Sequence, residues 1–203
     1  MSPRNQHLLV MAKQPRIGRV KTRLGAGIGA MEATRAYRVM LAETLNTLSR
    51  DPRWQTWVAV SGVHEFHARV WPDNVNLVDQ GTGDLGERMQ RMFNTLPIGP
   101  VVIIGSDIPN IERADIAEAF RQLGRHDAVF GPAPDGGYWL VGQSRRRTVL
   151  PMFDNVRWSS EHALADTMAN LKDVSVKLLR QLADVDDAAS YRNWLRGRKP
   201  AGC

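Results

Sequence analysis

Short apolar runs alternate with amphipathic stretches along nearly the whole 203-residue chain, and this alternation limits the folds open to it. Leu8–Ala12, closed by Lys-Gln-Pro, and Val101–Ile104, set between Gly-Pro and Gly105, have the length and apolarity of buried strands. Further strands are expected at Trp57–Val60, Val75–Val78, Ala128–Phe130, Tyr138–Val141 and Val174–Leu179. Between them the apolar residues recur at helical spacing. Ala33, Tyr37, Met40, Leu41, Leu45 and Leu48 mark a helix over Glu32–Leu48, and Leu85, Met89, Met92, Phe93 and Leu96 mark another. Helices are also expected over Arg113–Leu123, over Ser159–Leu171 with Ser159 or Ser160 as N-cap, and over Ala188–Leu195. Residues 13–30 contain Pro15, Gly18, Gly25, Gly27 and Gly29 and read as a long loop leading into a helix. Strand–helix alternation of this kind predicts an α/β protein: a single-domain, three-layer α/β/α sandwich around a mostly parallel sheet, with one domain over 1–196 and a basic, frayed tail over 197–203. Right-handed crossovers would then gather loops 13–25, 80–84, 105–110 and 131–137 along one sheet edge.

Composition narrows the class further. Hydrophobic residues are 43% and charged residues 24%, which is ordinary for a globular chain and unlike a disordered or fibrous one. The longest apolar runs fall far short of the ~20 residues that span a bilayer, and of the ~7–15 of a signal-peptide core. The one cysteine, Cys203, allows neither a disulfide framework nor a cysteine-based metal site. These features suggest a soluble, cytoplasmic protein without a membrane span.

The net charge of +6 is localised. Residues 1–31 carry six cations (Arg4, Lys13, Arg16, Arg19, Lys21 and Arg23) and no acid, while the other 21 cations are matched by all 21 acids. A nucleic-acid footprint usually spreads over a face or stripe. A local cluster beside a strand end suits a compact polyanion such as a nucleotide di- or triphosphate. A basic nucleic-acid-binding protein is therefore the remote alternative, and a nucleotide the expected partner.

Five segments could carry chemistry. Ala12–Leu24 is a basic loop whose backbone N–H groups and cations suit phosphate oxygens, making Ala12, Lys13, Gly18, Lys21, Thr22 and Arg23 candidates for nucleotide binding. It is not a Walker A loop, because Val20 stands where Gly should precede Lys-Thr. Gly25-Ala-Gly27-Ile-Gly29-Ala30 matches a dinucleotide fingerprint in spelling but lies too far beyond the strand, and Ser61 closes the next strand where an acid is needed. Gly105-Ser106-Asp107-Ile108-Pro109 follows the most buried strand. There Asp107 is placed to hold Mg²⁺ or Mn²⁺ with Ser106 beside the phosphates, and Asn110 offers a nearer cap for the next helix. In Gly131–Leu140, Asp135, Gly136, Gly137 and Tyr138 are candidates for a second substrate, although Asp-Gly-Gly is also a turn signal. Gln80 and Thr82 offer an amide and a hydroxyl to a base or sugar, while Thr82 or Asp84 could cap the following helix. Asp184, Asp186 and Asp187 read from their spacing as a helix start, with a second metal carboxylate as the other possibility.

Taken together, the segments resemble a known family. Ala12–Leu24 is similar to the A-K-x-P-x-x-G-x-V-K-T-R-L signature of the DUF2064 proteins, bacterial members of the nucleotide-diphospho-sugar transferase (GT-A fold) superfamily. Gly83–Met89, Gly105–Pro109 and Gly131–Gly142 follow in the order seen in that family. The resemblance spans residues 7–195. It implies a GT-A-like fold, with Asp107 as the metal-binding carboxylate and Lys13, Lys21 and Arg23 facing the nucleotide phosphates. It suggests Asp186 as the second metal ligand; related nucleotidyltransferases carry D-x-D-T-P-E-D-L there, and this chain has Asp184-Val-Asp186-Asp187-Ala-Ala, without Thr and Pro. The implied activity is a Mg²⁺-dependent (or Mn²⁺-dependent) transferase with Lys21, Arg23 and Asp107 as catalytic residues. One version moves a sugar from an NDP-sugar to a small-molecule acceptor. The alternative joins an NMP from an NTP to an anionic small molecule with release of pyrophosphate.

Overall fold

The computed structural model describes residues 5–198. Seven strands form one sheet: β1 (His7–Met11), β2 (Gln55–Val60), β3 (Asn76–Asp79), β4 (Val101–Ile104), β5 (Ala128–Pro132), β6 (Tyr138–Gln143) and β7 (Val176–Leu178). Their order across the sheet is β3-β2-β1-β4-β6-β5-β7. All neighbours pair in parallel except β6, which runs antiparallel to both β4 and β5. The antiparallel strand arises because residues 133–137 form a hairpin turn too short for a parallel crossover.

Alternate residues of the central strands face opposite layers, as the two-residue period of a strand requires. Leu8, Val10, Val102 and Ile104 pack with α1 (Thr22–Ile28), α2 (Ala30–Leu48), α4 (Arg113–Leu123) and Tyr191 of α6 (Ala188–Gly197). Leu9, Val101 and Ile103 pack with Met89, Met92 and Phe93 of α3 (Leu85–Thr95) on the other face, where Leu164 of α5 (Ala163–Ala169) also packs. The result is the expected three-layer α/β/α sandwich. Among the described residues no helix is long and apolar enough to cross a membrane. Gly197 and Arg198 close α6; residues 199–203, and with them most of the expected tail, lie outside the described residues, as do Arg4 and Cys203.

Three local expectations are corrected. Residues 13–30 are not a loop throughout, because Thr22–Ile28 forms α1. Gly27 serves packing: a Cβ on it would lie 3.0 Å from Ala188 Cβ, so its bare backbone eases the approach of α1 to α6. Gly29, at φ +88, then turns the chain between α1 and α2. The helix expected from Ser159 begins only at Ala163; Ser159 has φ +58, and Ser160 Oγ accepts from His162 N instead of capping a helix. Asn110 does not cap α4. Glu112 does, in a reciprocal capping box with Asp115.

Candidate functional site

The loops that follow β1, β3, β4 and β5 open on one sheet edge, as the crossovers require. Asp107 lies just beyond β4. The segment after β7 is drawn to it through the backbone, where Val185 N donates to Asp107 O at 3.1 Å and Leu182 N to Pro132 O at 3.1 Å. Asp107, Asp184 and Asp186 therefore converge, with carboxylate oxygens all within 4.8 Å of one another. Asp187 points away and starts α6, accepting from Ala189 N and Ser190 N. The acidic run thus divides its work: one residue caps a helix and two join the cluster.

Lys21 reaches the same cluster from the other end of the chain. Its Nζ lies 2.6 Å from Asp107 Oδ2 and 2.9 Å from Asp186 Oδ1, and its side chain is only 5% exposed. Burial works to lower the Lys21 pKa, but the Asp107 and Asp186 carboxylates outweigh it and hold the ammonium above its usual range. Arg23 Nη1 pairs with Asp186 Oδ2 at 2.9 Å from an exposed position. Asp184 lies partly buried beside the other two carboxylates. Burial first, then the neighbouring Asp107 charge, pushes its carboxyl up to about 6. Three carboxylates this close supply the hard oxygen donors that Mg²⁺ and Mn²⁺ take, and the ammonium among them shows that the space suits a cation. The donor set fits a divalent ion.

Two cavities meet at this cluster and share Arg23, Leu85, Gly105, Asp107 and Asp186. The first, of 410 Å³, is walled by the basic loop, with Lys13, Arg19, Lys21 and Arg88 among its lining residues. Tyr37 braces it. Its buried hydroxyl accepts from Lys13 N at 3.0 Å and lies 3.0 Å from Ser106 Oγ, tying the basic loop to the loop that carries Asp107. Burial raises the Tyr37 pKa, so the phenol stays neutral and able to donate. The second cavity, of 510 Å³, is lined by Asp135, Gly137, Tyr138, Trp139, Trp158, Ser160, Glu161 and Asp184.

The candidate residues distribute unevenly between these spaces. Ala12, Lys13, Lys21, Thr22, Arg23, Ser106, Asp107 and Asp186 line the first cavity. Gln80 also lines it, but its amide is committed inside: Nε2 donates to Ala12 O at 3.0 Å and Ala59 O at 2.7 Å, and Oε1 accepts from Arg88. Gln80 braces the floor and its amide nitrogen is not free to read a base. Thr82 lines neither cavity; its carbonyl accepts from Arg91, and the helix cap is Asp84, in a capping box with Glu87. Gly18, at φ +73, sits on the exposed outer side of the basic loop and also lines neither. Asp135 Oδ1 accepts from Gly137 N at 3.0 Å, so it is a turn residue that also faces the second cavity. Gly136, at φ +83, stands off that cavity, and a side chain on it would run into the Glu161 carbonyl. Tyr138 lines the cavity with its hydroxyl 3.4 Å from Thr167 Oγ1, and burial raises its pKa.

Sequence reasoning missed Asp184 as a cluster member, and Tyr37 and Glu161 as site residues. Tyr37 carried a usable signal, a hydroxyl on the apolar stripe of a helix next in sequence to the basic loop. Glu161 carried none; it reaches the site because Leu164 N donates to Gly136 O, which fastens the start of α5 to the hairpin.

A family model described as an uncharacterized protein conserved in bacteria (DUF2064) matches residues 44–160, more than half of the chain. A crystal structure of a candidate nucleotide-diphospho-sugar transferase from Desulfovibrio desulfuricans is 28% identical, with a TM-score of 0.89, over 98% of this chain and 90% of that one. A 4-diphosphocytidyl-2C-methyl-D-erythritol synthase from Anaerococcus prevotii is 10% identical with a TM-score of 0.63, over 97% of this chain and all of that one. A glucosyl-3-phosphoglycerate synthase from Mycobacterium tuberculosis, solved with Mn²⁺, UDP and phosphoglyceric acid, is 12% identical with a TM-score of 0.58, over 94% of this chain and 74% of that one. No curated protein matches the chain. The fold is nucleotide-diphospho-sugar transferase-like, and its structural neighbours include both glycosyltransferases and nucleotidyltransferases.

Proposed function

Because the chain belongs to the DUF2064 family, we propose that it is a divalent-metal-dependent transferase that takes a nucleotide substrate in the basic cavity and moves a sugar from an NDP-sugar to a small acceptor in the second cavity. The observation that carries this reading is the convergence of Asp107, Asp184 and Asp186 at the junction of two cavities of unlike charge. Asp107 and Asp186, with Asp184 beside them, would hold the ion; bound there, a divalent cation neutralises charge on phosphate oxygens and polarises them.

The protein's own residues account for the rest. Lys13, Arg19 and Arg23 bind and orient the diphosphate, and Arg23 can take two oxygens at once. Lys21 and Arg23 stabilise negative charge on the departing nucleoside diphosphate. Tyr37 and Gln80 keep the basic loop and the Asp107 loop in register. Trp139 and Trp158 wall the second cavity and exclude water from the transferred sugar. Chemistry of this kind depends on position and electrostatics more than on a protein nucleophile.

The second cavity also bears on which transfer occurs. Apart from Asp107, Asp184 and Asp186, whose charge the ion would largely offset, its charged lining is Asp135 and Glu161 against Arg23. An acidic wall with aromatic faces suits a neutral, hydroxyl-rich acceptor and repels an anion, which favours sugar transfer over joining an NMP to an anionic molecule. The four cations of the basic cavity other than Lys21 (Lys13, Arg19, Arg23 and Arg88) would also serve a triphosphate, and they keep nucleotidyl transfer as the second reading. One assay separates the two. Purified protein is incubated with Mg²⁺ or Mn²⁺ and either NDP-sugars or NTPs, with neutral sugars and sugar phosphates as acceptors. Release of nucleoside diphosphate from an NDP-sugar is the expected result. Release of pyrophosphate from an NTP would establish the second reading, and release of neither would overturn both.

A further inference from the structure

The candidate metal ligands already carry a cation, and that cation is part of the chain. Lys21 Nζ makes short bonds to one oxygen of Asp107 and one of Asp186, while Arg23 takes the other oxygen of Asp186. Lys21 does not arrive there by chance of a long solvent-exposed side chain. It is nearly buried, it follows the buried Val20, and its backbone sits at φ 48, ψ 48 as the N-cap of α1. A non-glycine residue in the left-handed region is uncommon and is held there by its surroundings. A divalent ion bound to Asp107 and Asp186 would meet this ammonium at the same oxygens, in a partly buried place where like charges repel strongly.

We propose that Lys21 is a latch on the metal site, holding the carboxylates until the ion binds and then leaving them. This rests on the metal-and-nucleotide reading above. The same basic cavity that Lys21 lines is where the phosphates would sit, so the released ammonium exchanges its carboxylate partners for phosphate oxygens. Metal and nucleotide then assist each other: the ion frees Lys21 for the phosphates, and the phosphates hold Lys21 away from the ion. Linkage makes the two effects equal in size. The latch also gives an account of Lys21 in both states. Without ligand it offsets the mutual repulsion of Asp107 and Asp186, and with ligand it contacts the leaving group. It acts as a positioning residue in the first state and a catalytic one in the second.

The test is Mn²⁺ binding without nucleotide, followed by electron paramagnetic resonance of the free ion, on the wild type and on Lys21→Met and Lys21→Gln. The neutral variants should bind Mn²⁺ about 5–150-fold more tightly than the wild type, the usual range for a coupling between two ligands. Affinity equal to or weaker than the wild type would overturn the latch. If neither variant folds by circular dichroism, the wild type answers the question. Mn²⁺ alone should uncover the Lys21 amine to acylation, read by mass spectrometry of its peptide, and labelling that stays at the metal-free level while Mn²⁺ binds would overturn the proposal. Neither arm contains nucleotide. Failure of the transferase assay therefore leaves them interpretable, and failure of the latch leaves the transferase reading standing.

Discussion

The two cavities that meet at Asp107 are built in opposite ways. Half of the residues that line the basic cavity come from one stretch of chain, Met11 to Arg23, braced from beneath by Tyr37 and Gln80. The second cavity is gathered mainly from four separate places, the Asp107 loop, the β5–β6 hairpin, the start of α5 and the segment after β7, with Arg23 and Leu85 completing it. The first is rich in cations and the second in acids and aromatic rings. A contiguous stretch writes its chemistry into a motif, whereas a cavity gathered from distant segments shows only a part of itself in one, here Gly131–Leu140. The difference also suggests how such a scaffold can vary its acceptor without disturbing its nucleotide site, since substitutions in the gathered wall leave the basic loop untouched.

Substitutions can break or sharpen this contrast. The largest effect belongs to the shared boundary. Asp107→Ala should reduce nucleoside diphosphate release by about 10²–10³-fold, the usual cost of removing one preorganised electrostatic group. Circular dichroism should show the fold retained, because Asp107 lies beyond β4 and outside both core clusters. Turnover within a few-fold of wild type would show that the cavities do not meet at a working centre.

Next in size is the hairpin. Gly136→Ala places a side chain at φ +83 against the Glu161 carbonyl. Thermal unfolding should show a loss of about 1–3 kcal/mol, or ~2–4 °C per kcal/mol for a chain of this length. The acceptor KM should rise while the donor KM holds. An equal rise in both would mean that the second cavity is not a separate binding space.

The basic loop should give the converse. Lys13→Ala should raise the donor KM by about tenfold, the worth of one charge-assisted contact to phosphate. Acceptor KM and thermal midpoint should stay near wild type, because Lys13 is exposed. Steady-state kinetics with each substrate varied in turn gives both numbers.

The smallest effect concerns pH. Arg157 donates to both oxygens of Asp166, and these hydrogen bonds pull the Asp166 carboxyl down to about 2. The pair clamps the segment that carries Trp158 and Glu161 to α5. A carboxyl whose folded pKa lies below its unfolded value adds stability that is present above about pH 4. That stability is lost as pH falls toward 2. Arg157→Ala should therefore lower the melting midpoint slightly at pH 7, and the difference from wild type should shrink as pH falls through about 2. A difference as large at pH 2 as at pH 7 would mean that Arg157 acts through packing alone.

Much of the fold was legible in the sequence because its signals are local. The strand at Val101–Ile104 and the helix stripe from Ala33 to Leu48 follow from periodicity, and the loops after the strands follow from handedness. Some errors were also local. Gly25 and Gly27 resemble loop residues, yet they sit in α1, and at Gly27 close approach to α6 favours the missing side chain. Gln80 carries an amide that could read a base, and only its three internal partners show it to be spent.

By itself, then, the sequence determined the layered α/β architecture, the basic loop after the first strand and Asp107 at the end of the fourth, since each depends on residues adjacent along the chain. The family resemblance singled out Asp186 from the run Asp184–Asp187, and tertiary structure alone added Asp184 to the cluster and made Asp187 the helix cap. Tertiary structure alone brought Lys21 within 2.9 Å of Asp186, 165 positions away, and fastened Glu161 beside Gly136. The physical reason is that hydrogen bonds such as Val185 N to Asp107 O fix one segment against another through backbone groups that every residue carries, so the sequence holds no mark of them.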